Sequence, residues 1–163
     1  MFKRIYLGLG SNLGEAPLNI IEAVRQLNAD STIRNSKLSP LYLTPPMGPQ
    51  DQPDFINAVL QAETQLSPFE LLAKIKLIEK TMGRQITHRW GPRVIDIDIL
   101  LYGDQIIRSD ELNIPHIGLS ERSFVLYPLA DLDNQLQVPE LASITELIHN
   151  LGKTEIRQIQ SVD

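Results

Sequence analysis

Arg89-Trp90-Gly91-Pro92-Arg93-Val94-Ile95-Asp96-Ile97-Asp98-Ile99-Leu100-Leu101-Tyr102 begins as a basic loop and ends as a strand. From Ile95 onward the residues alternate. Ile95, Ile97, Ile99 and Leu101 share one face and Asp96 and Asp98 the other, because successive strand side chains point to opposite sides of a sheet. Two carboxylates about 7 Å apart at Cα do not both enter a core. They are near enough to hold one divalent cation between them or to bridge two. Just upstream, Arg84, Arg89 and Arg93 are cations suited to phosphate oxygens. Asp-x-Asp alone reads first as a solvated strand face balanced by a charged loop. Arg93 three residues before Asp96, with Trp90 and Gly-Pro between the cations, shifts the reading to chemistry on a metal-bound nucleotide.

The composition sets the frame for that site. A chain of 163 residues predicts one domain over 1–163 with a sizeable core. Hydrophobic residues at 42% and charged residues at 21% fit a globular protein. A net charge of -5 argues against a nucleic-acid partner. There is no cysteine, which removes disulfides and thiolate metal sites. The N-terminus runs straight into a strand pattern without a leader's apolar core, and no apolar run is long enough for a membrane span. The expectation is a cytoplasmic protein acting on small molecules, with a monomer compatible with the pattern.

Along the chain, Lys3–Gly10 reads as a strand followed by a loop through Gly14. Gly8, Gly10 and Gly14 nearly spell a dinucleotide fingerprint, but the last gap is one residue too long, so they are read as turn glycines. A helix follows, with Pro17 in its first turn and Leu18, Ile21, Val24 and Leu27 as its buried side. Lys37–Thr44 is a second strand. Residues 45–53, rich in proline, form a loop that could serve as a lid. The third strand, Phe55–Thr64, places Ile56, Ala58, Leu60 and Ala62 on one apolar face. Phe55 and Asn57 on the other are suited to stack on a heterocycle and bond its edge.

Ser67, Pro68 and Glu70 open a second helix with a capping box, and Leu71, Ile75, Ile78 and Met82 form its stripe. Glu79 beside that stripe reads as structural. The basic loop 84–93 and the aspartate strand complete strand-helix-strand twice. This predicts an α+β fold: a ferredoxin-like antiparallel sheet (βαββαβ core) with both helices on one face and a C-terminal extension. Further on, a hairpin is expected between Ile99–Gly103 and Ile106–Arg108. A short helix over Ser120–Tyr127 should be stopped by Pro128. A last helix begins at Ser143 and ends at Gly152, and His149 near its end is assigned nothing. Gly152-Lys153-Thr154 lacks the glycine and the following helix of a P-loop.

Arg89-Trp90-Gly91-Pro92-Arg93 with Asp96-Ile97-Asp98-Ile99-Leu100 resembles the signature of the 6-hydroxymethyl-7,8-dihydropterin pyrophosphokinase family. Thr44 to Pro53, Phe55-Ile56-Asn57-Ala58, Gly10-Ser11-Asn12, Pro115-His116 and Arg122-Ser123-Phe124 resemble it in the same order. The resemblance implies transfer of the pyrophosphoryl group of ATP to the pterin's hydroxymethyl group, releasing AMP, in folate biosynthesis. It implies that Asp96 and Asp98 hold two magnesium ions. Arg84, Arg93, His116 and Arg122 would neutralise phosphate charge, with Ile99 also at the nucleotide. Trp90 would lie on a mobile loop touching both ligands. The pterin would sit between Phe55 and Phe124, its edge read by Asn57 and by Thr44, Pro45, Pro46 and Met47. The chain departs from the family's pattern at Ile86, where an arginine is frequent, and at Ile117, where an aromatic is.

Two other readings stay open at this point. A ferredoxin-like regulatory or binding module would show no ATP turnover. Another Asp-x-Asp nucleotide transferase would have a parallel nucleotide-binding sheet.

Overall fold

The computed structural model describes residues 1–45, 52–83, 94–154 and 156–159. Pro46, Met47, Arg84, Ile86, His88, Arg89, Trp90 and Arg93 lie outside the described residues, as do the 84–93 loop and most of the proposed lid.

The fold is α+β. β1 (Lys3–Ser11), β4 (Phe55–Thr64) and β5 (Asp96–Tyr102) form the centre of an antiparallel sheet. The edge strand expected over 37–44 is broken in two, β2 (Ile33–Leu38) and β3 (Tyr42–Thr44), each pairing with a different half of β4. Pro40 causes the break, since it has no N–H for the ladder. Ser39 fills the gap: its N–H donates to the Val59 carbonyl, and its hydroxyl accepts from the Val59 N–H, both at 2.9 Å. The strand order is β5-β1-β4-β3-β8, where β8 (Arg157–Gln158) comes from the C-terminal tail. No sequence pattern announced this last strand.

α1 (Ala16–Asn28) and α2 (Pro68–Thr81) cover one face. α2 follows the expected stripe, and both halves of the Ser67/Glu70 capping box are formed. α1 does not. It buries Ala16, Ile20, Ala23 and Leu27 and leaves Leu18 and Ile21 exposed. Strict three-residue steps drift by about 60° each at about 100° per residue, so Leu18 and Leu27 stand on opposite sides of the helix.

The other face is divided. At one end Tyr6, Val59, Leu100 and Leu101 meet α3 (Ser123–Leu132) and α4 (Ile144–Leu151) in a second core. The sheet is therefore covered on both sides at this end, where helices were expected on one face only. At the other end of this face stand Gly10, Asn57, Asp96 and Asp98, outside both apolar clusters.

Three further expectations are corrected. Leu101 does not share the Ile95 face. Leu7 pairs with Ile99 but Tyr6 with Leu101, so Leu100 is an extra residue and the strand changes parity there. The expected hairpin from β5 is absent among the described residues, since β6 (Ile107–Arg108) pairs with β7 (Asn113–Ile114). Pro128 does not end its helix. It is buried inside α3, which runs on to Leu132. One missing donor is outweighed by Val125, Leu126 and Leu129 packing on the sheet.

Candidate active site

Across the open half-face, register sets the side chains in rows. Asp96 is opposite Gly10, which is opposite Asn57, which is opposite Tyr42. One step along, Asp98 faces Gly8 and Gly8 faces Val59. Gly8 and Gly10 lie inside β1, as the expected Lys3–Gly10 strand has them, and of the three glycines read as turn residues only Gly14 has a positive φ (66°). Two glycines on one strand face leave a bare floor between the aspartates and the β4 side chains. A Cβ on Gly10 would lie 2.8 Å from Asn57 Oδ1, so the amide lies directly against β1. Asn57 is buried, and its Nδ2 donates to Thr44 Oγ1 at 2.8 Å. Phe55 is half-buried beside it, and Pro45 is exposed at the end of β3.

Asp96 and Asp98 are both half-exposed on this face. Glu79 helps to hold their strand: it is buried on α2 and accepts from the Ile97 N–H at 2.8 Å, as its structural reading expected. Asp98 Oδ2 lies 3.7 Å from His116 Nε2 and 4.0 Å from an Arg122 guanidinium nitrogen. His116 is pinned to β5 through its own N–H, which donates to the Leu100 carbonyl at 3.0 Å. Its Nδ1 accepts from the Gly118 N–H at 3.0 Å, so in the neutral ring the proton sits on Nε2, toward Asp98. Burial, and then Arg122, push its pKa down to about 4, against the pull of Asp96. The ring thus offers an Nε2–H donor on the Asp98 side.

Arg122 folds across Gly118, where a Cβ would meet its Nε at 2.7 Å, and its guanidinium carbon is 5.8 Å from the Phe124 ring centre. Phe124 is half-buried at the start of α3. Ile99 is 3% exposed in the first core, on the face away from the aspartates.

Several neighbours of these residues had no role assigned from sequence. A cavity of about 150 Å³ next to His116 is lined by Arg108, Asn113, Pro115, Ile117, Ser120 and Leu141 as well. Asn12 Nδ2 donates to Gln52 Oε1 at 2.9 Å and to the Pro53 carbonyl at 3.0 Å, tying the end of the proline-rich loop to β1. Asn12, Pro115 and Ile117 were marked only through the family resemblance, and the glycines also by their i, i+2 spacing within a strand, which marks close approach.

The donor set suits magnesium. Two hard carboxylates stand on one face, partly open to solvent, and Mg²⁺ is usually held by one or two carboxylates plus substrate phosphates. Among the described residues no group of three or more acidic or imidazole ligands forms.

The 7,8-dihydro-6-hydroxymethylpterin-pyrophosphokinase model matches residues 6–134. The chain is 43% identical over 148 residues to the 2-amino-4-hydroxy-6-hydroxymethyldihydropteridine pyrophosphokinase of Pseudomonas aeruginosa, covering 91% of each chain. It is 44% identical over 146 residues to the enzyme of that name from Haemophilus influenzae, covering 88% of this chain and 89% of the relative. Among solved structures, Plasmodium falciparum HPPK-DHPS with pteroate superposes with a TM-score of 0.73 at 18% identity. It covers 92% of this chain, which spans 42% of the longer one. On the match over residues 6–134 and these identities, the chain belongs to the 7,8-dihydro-6-hydroxymethylpterin-pyrophosphokinase family.

Proposed function

We propose that the open half-face of the sheet is where this enzyme does its work, the aspartates serving the nucleotide and the Asn57 row serving the pterin. The reaction is transfer of the pyrophosphoryl group of ATP to the hydroxymethyl group of 6-hydroxymethyl-7,8-dihydropterin, in folate biosynthesis. The observation that carries the site reading is the row Asp96–Gly10–Asn57. The carboxylates stand on one side of a bare strand and the Asn57 amide on the other.

Asp96 and Asp98 would hold two magnesium ions, which supply screening of the triphosphate's charge and fix its shape. Arg122 supplies a permanent positive charge beside Asp98, and His116 directs an Nε2–H donor to the same place. The cavity beside His116, with Asn113, Arg108 and Ser120 on its walls, would receive the nucleoside end. Asn57, held by Thr44, reads the pterin edge, with Phe55 and Phe124 as its flanking rings and Pro45 at the margin. Arg84, Trp90, Arg93, Pro46 and Met47 keep the roles that the family resemblance gives them.

The hydroxymethyl oxygen then attacks the β-phosphorus and gives up its proton to solvent. The new O–P bond forms as the bond from that phosphorus to the α,β-bridging oxygen breaks, and AMP leaves. The protein's part is alignment and charge neutralisation, without a covalent intermediate.

The strand order and the two helices on one face support a ferredoxin-like βαββαβ core, and we take 1–163 as one domain. No described helix is long and apolar enough to cross a membrane. A cytoplasmic monomer acting on small molecules is our reading.

Incubation with ATP, magnesium and the dihydropterin should release AMP in step with pterin consumption. ADP as the main product would overturn the reaction assignment. Phe124→Ala should weaken pterin binding roughly three- to tenfold, since aromatic pairing contributes about 0.5–1.5 kcal/mol beyond burial. Nucleotide affinity should hardly move. Equal loss of both ligands in titration calorimetry would make Phe124 a core residue instead.

A further inference from the structure

Tyr42 lies two residues before Thr44 on β3, directly opposite Asn57, and is buried. Its hydroxyl donates to Asp131 on α3, and Gln158 Oε1 of β8 lies 3.4 Å away. Its ring centre is 6.5 Å from that of Tyr127. Burial, reinforced by Asp131, raises its pKa, so the hydroxyl remains a donor.

On α3, Phe124, Tyr127 and Asp131 stand at i, i+3 and i+7, one stripe of the helix. Tyr42 thus grips the two lower residues of the stripe whose upper end carries Phe124. On the strand side, β3 has only three residues. Beyond β4, its described sheet partner is β8, paired at Tyr42–Gln158 and Leu43–Arg157 and reinforced by the Ile159 N–H donating to the Leu41 carbonyl at 2.9 Å. Ile159 also packs against the first core. Two sides of the pterin half of the site therefore meet at one hydroxyl: the Thr44–Asn57 pair by way of β3, and Phe124 by way of α3.

We propose that Tyr42 is a positioning residue for the pterin, a latch that sets the separation between the Thr44–Asn57 wall and the Phe124 helix, with the C-terminal strand as its brace. The inference rests on the site reading above. Fixing two walls at a set spacing prepays the ordering that a ligand would otherwise have to impose. Tyr42 itself contacts Asp131, Tyr127 and Gln158, while Arg122 stands at the far end of α3, so the pterin half should feel the latch more than the nucleotide half.

Tyr42→Phe keeps the ring and removes the hydroxyl. Val125, Leu126 and Leu129 still hold α3 to the sheet, so the variant should fold. The dissociation constant for 6-hydroxymethyl-7,8-dihydropterin, measured with a non-hydrolysable ATP analogue present, is expected to rise on the order of five- to tenfold. That for the analogue alone should change less than about twofold. Asp131→Leu should reproduce the effect from the exposed side of the helix, and Asp131→Asn, which keeps an acceptor, should restore most of the affinity. Unchanged pterin affinity in Tyr42→Phe and Asp131→Leu, whatever their melting temperatures, would overturn the proposal, as would equal loss of both ligands. Should Tyr42→Phe not fold, the two Asp131 variants decide alone. A wild-type chain that binds no dihydropterin would instead refute the site reading, a separate outcome visible before any variant is made.

Discussion

Asp98→Asn is expected to lower turnover roughly 10²–10³-fold, about 3–4 kcal/mol of transition-state stabilisation at 1.36 kcal/mol per decade. The substitution keeps shape and removes one negative charge from the pair that would hold the metal. Magnesium prefers hard anionic oxygens, so an amide is a poor replacement. Folding should survive. Asp98 is 38% exposed, its neighbour His116 is neutral, and Arg122 stands 4.0 Å away. A pair of that kind is worth about 0–1 kcal/mol, or a few degrees in melting temperature for a chain of this size. The flanking residues Ile97 and Ile99 remain buried either way. Steady-state kinetics and calorimetry on the same sample separate the two effects. Partial recovery in excess magnesium would locate the loss in metal affinity. Near-normal turnover, or a variant that does not fold, would make the pair a solvated or structural strand face.

Gly10→Ala should act on the other substrate. The added carbon would lie 2.8 Å from Asn57 Oδ1, inside any tolerable contact. Asn57 has little room to yield, being 6% exposed and bonded to Thr44 at 2.8 Å. Turning the amide away breaks that bond, a net cost of about 0.5–1.5 kcal/mol, and removes the group proposed to read the pterin. The KM for dihydropterin is expected to rise at least roughly tenfold, with the affinity for nucleotide alone little changed. Gly8→Ala is the comparison, since the atoms nearest its new carbon belong to the Leu100 side chain and begin at 3.4 Å, an ordinary contact. If both variants behave alike, the short Gly10–Asn57 contact has no bearing on the pterin.

Local physics was legible in the sequence. The alternation in Phe55–Thr64 delivered β4 with both boundaries and both faces, and Ser67, Pro68 and Glu70 announced a helix start that the structure builds in full. Asp96 and Asp98 fall on one face as their spacing required. What escaped was decided by contacts distant in the chain. The buried side of α1 depends on which residues allow close approach to β1 and β4, and alanines at 16 and 23 won over Leu18 and Ile21. The partner of β6 and the pairing of β8 with β3 carry no mark in their own residues. In the site, His116 and Asp98 were each visible, but the neutral state of the imidazole follows from burial and Arg122. Neither is a property of the string Pro115-His116.

The extra residue at Leu100 has a consequence for how this chain tolerates change. A strand with unbroken alternation transmits a one-residue insertion or deletion to every side chain beyond it. Here the parity already shifts between the half that carries the carboxylates and the half that seals the second core. A length change on the Gly103 side therefore has a place to be absorbed before it reaches Asp98. The carboxylate-bearing half of β5 is insulated from drift in the half that seals the second core, and the two can vary on separate terms.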